Sequence, residues 1–368
     1  MNIAFFSSFI SPHIKPFCDY LYSQADVNLE YIQTIPITDE RKRMGYDQND
    51  DIPYLLTNLN LSEMQTISDK ADCVIINTGS ADTEIVKTRI KNNGLTFFCN
   101  ERLFKKGIIK YADLRLWKQW QLNFKSRGKR VYLLCIGQFT RSDFQKVGFN
   151  NGGCFKFGYF PKIESSNFRR DDGVIHILWV GRMINWKRPE IALKIAIELK
   201  KRNLNFYMDI IGDGPLYNKI ESMCSSEKLY DTVKLHGLVD NDIVRHYMSN
   251  SDVLIVTSNR QEGWGAVVNE SLSVGTPVIA FNSIGAAKYL IQDGINGYLC
   301  DENNITDMIN KIIEVKGKGS LLRAGALKTI DEWNYRVAGD RFLKVVEKIS
   351  KNYKIEDCYY SSGPFSKA

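Results

Sequence analysis

The sequence lacks the signatures of two common nucleotide-binding classes. The first glycine of the chain is Gly45, so no G-x-G-x-x-G turn follows the first apolar run, where a nicotinamide-dependent oxidoreductase would need it. The P-loop pattern G-x-x-x-x-G-K-[ST] is missing from all 368 residues. These absences argue against a hydride-transferring domain at the amino terminus and against a P-loop nucleoside triphosphatase.

Residues suited to metal or nucleophilic catalysis are also scarce. The eight cysteines form no C-x-x-C pair, and the four histidines, His13, His176, His236 and His246, show no metal-ligand or Ser-His-Asp spacing. We therefore expect no metal and no other cofactor, and reduced, mostly buried thiols in a reducing compartment. His13 follows the first apolar run at a helix start, where it is either an ordinary helix residue or part of a ligand site.

The chain has no hydrophobic segment of the kind that crosses a membrane or directs export. Its first residues carry no basic region followed by an apolar run, and no apolar stretch approaches the roughly 20 residues of a membrane span. Hydrophobic residues nevertheless make up 44% of the sequence and aromatic residues 12%, which indicates a globular protein. We expect a cytoplasmic location.

What the sequence does contain is an alternation of short apolar runs with helical patterns, which is typical of α/β folds. The length exceeds what one hydrophobic core usually supports. We predict two doubly wound, Rossmann-like domains over residues 1–168 and 169–334, with a helix at about 335–353 packing back on the first. The predicted strands are residues 3–6, 29–35, 73–77, 95–99 and 131–135, then 174–180, 207–211, 233–236, 253–257, 277–281 and 297–300.

Four of the strands predicted in the second domain end in loops of glycine or small polar residues. Gly181, Gly212 and Gly237 each follow a strand directly, and the segment from Ser258 to Gly265 follows another. Because parallel strands gather their carboxyl ends at one edge of a sheet, these loops should meet where open α/β sheets bind ligands. The run Gly212-Asp-Gly-Pro215 is either an ordinary turn or one wall of a nucleotide pocket.

The densest motif is Glu262-Gly-Trp-Gly265, which leads into a predicted helix carrying Glu270. A glycine turn at a helix start offers unpaired backbone N–H groups to an anion, whereas the two carboxylates suit hydroxyl groups. A nucleotide-sugar has both features. The alternative is an exposed helix end whose acidic residues complement the helix dipole. Upstream, Arg182 and Lys187 lie five residues apart at a strand end and can converge on a diphosphate.

Positive charge is concentrated in residues 101–130. Six lysines and four arginines stand there against Glu101 and Asp113, an excess of eight in a chain whose net charge is +7. Aromatic residues, including Trp117 and Trp120, are interleaved with the cations. The pattern fits a helix on an anionic membrane surface, or alternatively a solvated helix that packs its aromatic stripe on the protein's own core. No nucleic-acid recognition motif accompanies the charge, so we expect no nucleic-acid partner.

In order and spacing, the motifs of residues 174–352 resemble the retaining glycosyltransferases of family four, which have the GT-B architecture of two Rossmann-like domains facing across a cleft. The first half of the chain resembles them loosely. Trp264 stands where the family has phenylalanine. The resemblance rests on Trp179-Val-Gly-Arg182, Lys187, Ile211-Gly-Asp-Gly-Pro215, Leu235-His-Gly-Leu238, Ser258, Glu262-Gly-Trp-Gly265, Glu270 and Gly275-Thr-Pro277-Val.

The resemblance implies a role for each of these residues. Arg182 and Lys187 would neutralise the diphosphate of the leaving nucleotide, and Glu262 would bind donor-sugar hydroxyls. Glu270 would hold the ribose hydroxyls. Such enzymes typically need no metal. The other donor-binding residues implied by the resemblance are Gly181, Gly214, His236, Gly237, Leu238, Ser258, Gly263, Trp264 and Gly265.

The acceptor side departs from the family pattern. Many members carry a histidine just after a middle strand of the first domain, where this chain has Asn100, Glu101 and Arg102. These three residues and His13 are therefore the candidates for contacts with the acceptor or the donor sugar.

The segments 100–107 and 158–161 resemble those of bacterial surface-polysaccharide transferases. The likeness implies a lipid-linked saccharide as the acceptor. We expect the donor to be a nucleotide-sugar that carries a hexose or N-acetylhexosamine, with UDP rather than GDP as its nucleotide. The enzyme would then work at the inner face of the cell membrane. The alternatives are another GT-B enzyme, such as a UDP-sugar epimerase, and a non-catalytic nucleotide-sugar-binding protein.

Overall fold

The computed structural model describes residues 1–38, 51–77, 82–107, 114–161 and 172–368, except for the side chain of Arg115. The chain divides into two compact units. The first unit comprises Met1–Pro161 and Trp333–Ala368, and the second comprises Lys162–Glu332. The domain boundary predicted between residues 168 and 169 lies outside the described residues.

The first unit is built on a parallel sheet whose described strands run in the order β3-β2-β1-β4-β5-β6-β7. The central strands are continuous apolar runs, as expected where both faces of a parallel sheet are covered. Phe5, Val74 and Leu133 are almost completely buried. The strands are β1 Asn2–Ser7, β2 Asn28–Gln33, β3 Leu55–Leu56, β4 Cys73–Ile76, β5 Leu95–Glu101, β6 Val131–Ile136 and β7 Cys154–Phe157.

Helices connect these strands. Strand β1 lies beside β4 as well as β2, so the direction in which the sheet grows reverses at β1, the position where such sheets bind ligands. The described helices before residue 161 are α1 Lys15–Tyr22, α2 Leu61–Lys70, α3 Thr83–Lys91, α4 Leu114–Lys125 and α5 Thr140–Lys146.

A helix from the end of the chain, α12 (Tyr335–Ser350), belongs to the first unit and packs on α1. Phe342 contacts the rings of Phe17 and Phe97 in the interior of this unit. The hydroxyl of Tyr20 donates to Asp340, and this hydrogen bond raises the pKa of Tyr20 to about 12. The contact therefore joins α1 to a helix more than 300 residues away in sequence.

The residues after α12 also pack on the first unit. A short 3₁₀ helix, Ile355–Cys358, is followed by a segment that pairs with the free edge of β7. The N–H of Phe365 donates to the carbonyl oxygen of Lys156, and the N–H of Lys156 donates to that of Ser366, both at 2.8 Å. Covering an edge strand in this way removes a surface on which other chains could pair.

The second unit contains another parallel sheet, with the strand order β10-β9-β8-β11-β12-β13. The reversal lies between β8 and β11, the two central strands. The strands are β8 Ile175–Val180, β9 Phe206–Ile211, β10 Val233–Gly237, β11 Val253–Val256, β12 Val278–Phe281 and β13 Gly297–Cys300. The named strands of both sheets pair in parallel, and described helices lie between most successive strands, which confirms the predicted α/β class with two Rossmann-like units.

The helices of the second unit alternate with its strands. Helix α6 begins with Pro189 in its first turn, where proline lacks only an N–H that would have no partner in the helix. Its buried residues include Ile191, Ile195 and Leu199, which line one face. The helices are α6 Pro189–Lys201, α7 Tyr217–Ser226, α8 Asn241–Ser249, α9 Val267–Ser273, α10 Ala287–Leu290 and α11 Ile305–Glu332.

All eight cysteines lie in the described part of the chain, and each is free and buried. Burial raises the pKa of the Cys73 and Cys99 thiols well above the usual range, so these thiols stay protonated. Within the described ranges, no helix has the length and apolar character needed to cross a bilayer.

Candidate functional site

The candidate site lies at the carboxyl ends of the parallel strands in the second unit, around the point where the strand order reverses. Loops that follow five of the strands contribute to it. We call this surface the carboxyl rim, and it consists of residues 181–188, 212–216, 237–238, 257–266 and 282–286. Open α/β sheets bind ligands at this position because no helix covers the strand ends there.

Thr257 joins the loops that follow β8 and β11. Its hydroxyl accepts a hydrogen bond from the indole N–H of Trp179 and donates one to the carbonyl oxygen of Lys187, both at 2.8 Å. The guanidinium of Arg188 in turn donates to the carbonyl oxygen of Thr257, also at 2.8 Å. Thr257 is completely buried. The sequence reasoning missed this role, although a threonine directly after the apolar run Val253–Val256 was the available signal.

The loop after β9 lies against the loop after β8 because glycines leave space between them. A Cβ atom on Gly212 would lie 1.9 Å from the carbonyl oxygen of Gly181, and one on Gly214 would lie 2.8 Å from that of Met183. Both glycines have positive φ angles, +136° and +150°, which other residues rarely adopt. The close approach of the two loop backbones therefore requires glycine at both positions of the predicted Gly-Asp-Gly motif.

The glycine turn between Glu262 and α9 is held by the loop after β12. The N–H of Ala286 donates to the carbonyl oxygen of Trp264 at 2.9 Å. A Cβ atom on Gly285 would lie 1.9 Å from the carbonyl oxygen of Gly263, so the two loops touch through their backbones. Gly265 has a φ of +89° and sets the direction in which α9 begins.

The ring of Trp264 lies inside the second unit. Its indole is 1% exposed and donates to the Oδ1 atom of Asn269 at 2.6 Å. Phenylalanine could not make this bond, which ties the glycine turn to α9. Trp264 can therefore contact a ligand through its main chain but not through its ring.

The charged residues of the rim include a close ion pair. The ammonium nitrogen of Lys187 lies 2.6 Å from Oε2 of Glu262, and the two side chains are 17% and 13% exposed. The two residues come from different loops, 75 positions apart, which Thr257 holds together. Arg182 is exposed, with its guanidinium carbon 5.7 Å from the centre of the Trp186 ring.

Other predicted donor-site residues lie along the same rim. Glu270 is partly exposed in the first turn of α9. Ser258 is 1% exposed, and its carbonyl oxygen accepts from the Ser283 hydroxyl. These positions place Glu270 one helical turn from the glycine turn, while Ser258 contributes to the packing beneath it.

The loop after β10 is fixed by a chain of partly buried polar side chains. The Nε2 atom of His236 lies 2.6 Å from Oδ1 of Asp209, and the Tyr247 hydroxyl lies 3.3 Å from its Nδ1 atom. Gly237 accepts from the N–H of Gly212 at 2.8 Å, and Leu238 is 68% exposed. His236 therefore holds the loop through its ring, leaving the main chain of residues 237–238 at the rim.

In the first unit, two of the four predicted residues share a partner. The Tyr159 hydroxyl donates to Oε1 of Glu101 at 2.9 Å, and the His13 ring stacks on Tyr159 with centroids 5.6 Å apart. Lys105 also pairs with Glu101. The group lies at the carboxyl ends of β1, β5 and β7, so Tyr159 and Lys105 join the candidates that the sequence indicated.

The other two predicted residues of the first unit lie in its interior. Asn100 is 5% exposed and Arg102 is 8% exposed. Arg102 pairs with the buried carboxylate of Asp143 at 3.7 Å and covers the Phe139 ring. Arg102 therefore holds the loop after β5 on α5.

Helix α4 presents three aromatic side chains to solvent, while its inward face combines polar residues with Leu116 and Leu122, which are 4% and 8% exposed. Trp117, Trp120 and Phe124 are 60%, 44% and 52% exposed, whereas Asn123 and Gln119 are 0% and 7% exposed. The amide of Gln119 donates to Asn123, which donates to the carbonyl oxygen of Val147. The alternative in which the aromatic stripe packs on the protein's own core does not hold. Residues 108–113 of the basic segment lie outside the described residues.

In the described part of the chain, no group of three or more histidine, cysteine, aspartate or glutamate side chains that could hold a metal ion occurs.

Comparison with known proteins follows the same division of the chain. Residues 162–324 match the family model described as glycosyl transferases group 1. An uncharacterised glycosyltransferase of Methanocaldococcus jannaschii is 35% identical over 38% of this chain and 37% of its own length. A poly(ribitol-phosphate) alpha-N-acetylglucosaminyltransferase of Staphylococcus aureus is 28% identical over 44% of this chain and 32% of its own length. The chain thus spans about half or less of the curated relatives it matches.

Solved structures extend the likeness to both units. The lipopolysaccharide outer core galactosyltransferase WaaB superposes with a TM-score of 0.70 at 16% identity, covering 96% of this chain and all of that one. HepE of Anabaena, in complex with UDP, gives 0.66 at 13% identity, covering 95% and 98%. These matches show that the fold is the predicted GT-B fold, and the part of the chain that resembles glycosyl transferases group 1 is residues 162–324.

The buried Thr257 hydroxyl leads to a stability prediction. Thr257→Val leaves the Trp179 indole N–H without its acceptor, so we expect the free energy of unfolding to fall by about 1–3 kcal/mol. Trp179→Phe removes the donor of the same bond, so the double variant should lose at least about 1 kcal/mol less than the sum of the single losses. Urea denaturation followed by circular dichroism measures all three variants.

Thr66→Val is the matched control, because Thr66 is exposed on α2 and its hydroxyl donates to the carbonyl oxygen of Ser62 in the same helix. It should change the free energy of unfolding by less than about 0.5 kcal/mol. Strictly additive losses in the Thr257 and Trp179 variants would contradict the shared bond.

Proposed function

We propose that this protein is a retaining glycosyltransferase. It moves a hexose or N-acetylhexosamine from a UDP-sugar to a lipid-linked saccharide in the synthesis of a cell-surface polysaccharide. The observation that carries the proposal is the Lys187–Glu262 pair, 2.6 Å apart on a glycine-lined rim within the matched family segment. One partner suits a diphosphate and the other suits sugar hydroxyls, and the fold brings them together.

The chemistry of glycosyl transfer suits these charges. The bond from the anomeric carbon to the diphosphate breaks, and a new bond to an acceptor hydroxyl forms on the same face of the sugar. The acceptor proton passes to an oxygen of the leaving phosphate. Positive charge grows at the anomeric carbon and negative charge on the diphosphate, and fixed cations stabilise that separation without reorganising. Lys187 and Arg182 are the cations placed to do so.

The remaining rim residues would hold the rest of the donor. Glu262 would accept hydrogen bonds from sugar hydroxyls, next to the backbone amides of Gly263–Gly265. Glu270, one turn into α9, would hold the ribose hydroxyls. The main chain at Gly237 and Leu238 would border the base. No metal is required in this scheme, because lysine and arginine supply the positive charge.

Named relatives support UDP as the nucleotide and a polymer as the acceptor. HepE and a pneumococcal O-GlcNAc transferase, GtfA, were both solved with UDP. The Bacillus subtilis relative is a poly(glycerol-phosphate) alpha-glucosyltransferase, 28% identical over 48% of this chain. In the first unit, Glu101, Tyr159 and His13 would contact the acceptor or the donor sugar.

Helix α4 would bring the enzyme to its lipid-linked acceptor at the inner face of the cell membrane. Helix α4 exposes Trp117, Trp120 and Phe124 although it already buries Leu116 and Leu122 against the first unit, so its outward side carries more apolar surface than a helix that faces only water. The three aromatic residues are spaced by three and four, so they share one face. Exposed cations lie on the same helix and just after it, at Lys118, Lys125 and Arg127. Aromatic residues beside cations suit an anionic lipid surface.

Turnover of a UDP-sugar tests the activity. Glu262→Ala and Lys187→Ala should each slow transfer by about 30- to 1,000-fold, because losing such a charged contact costs roughly 2–4 kcal/mol of transition-state stabilisation. Release of UDP in the presence of acceptor measures this effect. Lys194→Ala, which removes an exposed lysine of α6, should leave the rate unchanged. Near-normal turnover in both rim variants of a folded protein would exclude this site.

Vesicle sedimentation tests the lipid surface. The unaltered protein should bind vesicles of mixed neutral and anionic phospholipid, and binding should weaken as salt increases. A Trp117→Gln, Trp120→Gln double variant should bind at least about fivefold more weakly, because it loses two interfacial aromatic anchors. Tyr230→Gln, at a residue of the second unit that is 55% exposed, is the control and should bind normally. Equal, salt-insensitive binding to neutral vesicles would contradict the proposal.

A further inference from the structure

The Lys187–Glu262 pair places a carboxylate directly beside the cation proposed to hold the diphosphate. The two side chains are only 17% and 13% exposed, so the charges are screened less by salt than those of a surface pair. A diphosphate that reaches Lys187 therefore has to share its ammonium with Glu262 or displace it. The same carboxylate repels the phosphate oxygens as they approach.

We infer that Glu262 is a release element for the nucleotide product, in addition to its role toward the sugar. It competes with the product diphosphate for Lys187 and so weakens product binding. The inference rests on the proposed function, because it assigns a second role to the same site.

The charges of donor and product explain why such competition is useful. A nucleotide-sugar carries about two negative charges on its diphosphate, whereas the free nucleoside diphosphate carries close to three near neutral pH, since the second ionisation of a terminal phosphate has a pKa of about 6. Fixed cations alone would therefore hold the product more tightly than the substrate. A carboxylate beside Lys187 opposes the extra charge.

The position of Glu262 makes the opposition depend on the sugar. While the donor is intact, sugar hydroxyls donate hydrogen bonds to the carboxylate and occupy its oxygens. After transfer the sugar has left with the acceptor, and the Glu262 carboxylate pairs with Lys187 again. Substrate thus gains a contact from Glu262, whereas product loses affinity because of it.

Removal of the charge of Glu262 should affect the affinities for UDP and for the UDP-sugar differently. Glu262→Gln removes the negative charge but keeps the size of the side chain. We expect the variant to bind UDP about three- to tenfold more tightly than the unaltered protein does. Its affinity for the UDP-sugar should be equal to or lower than that of the unaltered protein. A role for Glu262 limited to holding Lys187 in place would instead weaken both ligands together.

Isothermal titration calorimetry with UDP and with the UDP-sugar measures the two affinities. The matched control is Glu314→Gln, because Glu314 is another paired carboxylate of the second unit, bonded to Lys311 and Lys318 on α11. It should leave both affinities unchanged. The gain in UDP affinity should also disappear when Lys187→Gln is combined with Glu262→Gln, since there is then no cation to compete for.

Each outcome decides the inference. Unchanged or weaker UDP binding by Glu262→Gln, with normal UDP binding by the unaltered protein, overturns the release role but leaves the proposed function in place. Absence of saturable UDP binding by the unaltered protein overturns both.

Discussion

The hydroxyl of Thr257 is the contact on which the arrangement of the carboxyl rim depends. It is completely buried and bonds at once to the Trp179 indole and to the carbonyl oxygen of Lys187. Because these groups come from the ends of β8 and β11, one small side chain fixes the two loops that flank the reversal of strand order. The Lys187–Glu262 pair depends on that placement, because Lys187 and Glu262 lie in these two loops.

The sequence predicted most strands of both sheets because apolar runs are local signals, but it missed β3 and β7, the two edge strands of the first sheet. Apolar runs predicted the strand from residue 253, and glycines at strand ends indicated where backbones meet, as Gly212 and Gly181 do. The contact between Lys187 and Glu262 could not be read in the same way, because it joins loops 75 positions apart whose meeting depends on Thr257. Trp264 belongs to the predicted motif, but its ring is buried. Burial of the ring depends on tertiary packing, which residue spacing does not reveal.

In the first unit, residue spacing also failed to predict which side chains are buried. Aromatic residues at helical spacing in α4 were compatible with a buried or an exposed face, because periodicity identifies a face without saying what covers it. Burial of Gln119 and Asn123 decided the orientation. Arg102 illustrates the reverse case, in which a charged residue beside candidate site residues is instead paired with buried Asp143. We propose distinct uses for the charges of the two surfaces: the cations on α4 would contact lipid, whereas at the rim Lys187 pairs with the carboxylate of Glu262.

The central claim is that the loops at the carboxyl ends of the second sheet form one nucleotide-sugar site. Hydrogen–deuterium exchange of backbone amides, measured with and without saturating UDP, tests it most directly. We expect slower exchange concentrated in the carboxyl rim, at residues 181–188, 212–216, 237–238, 257–266 and 282–286, with little change elsewhere in the second unit. Bound UDP that leaves exchange in these segments unchanged, or protects only other segments, would contradict it.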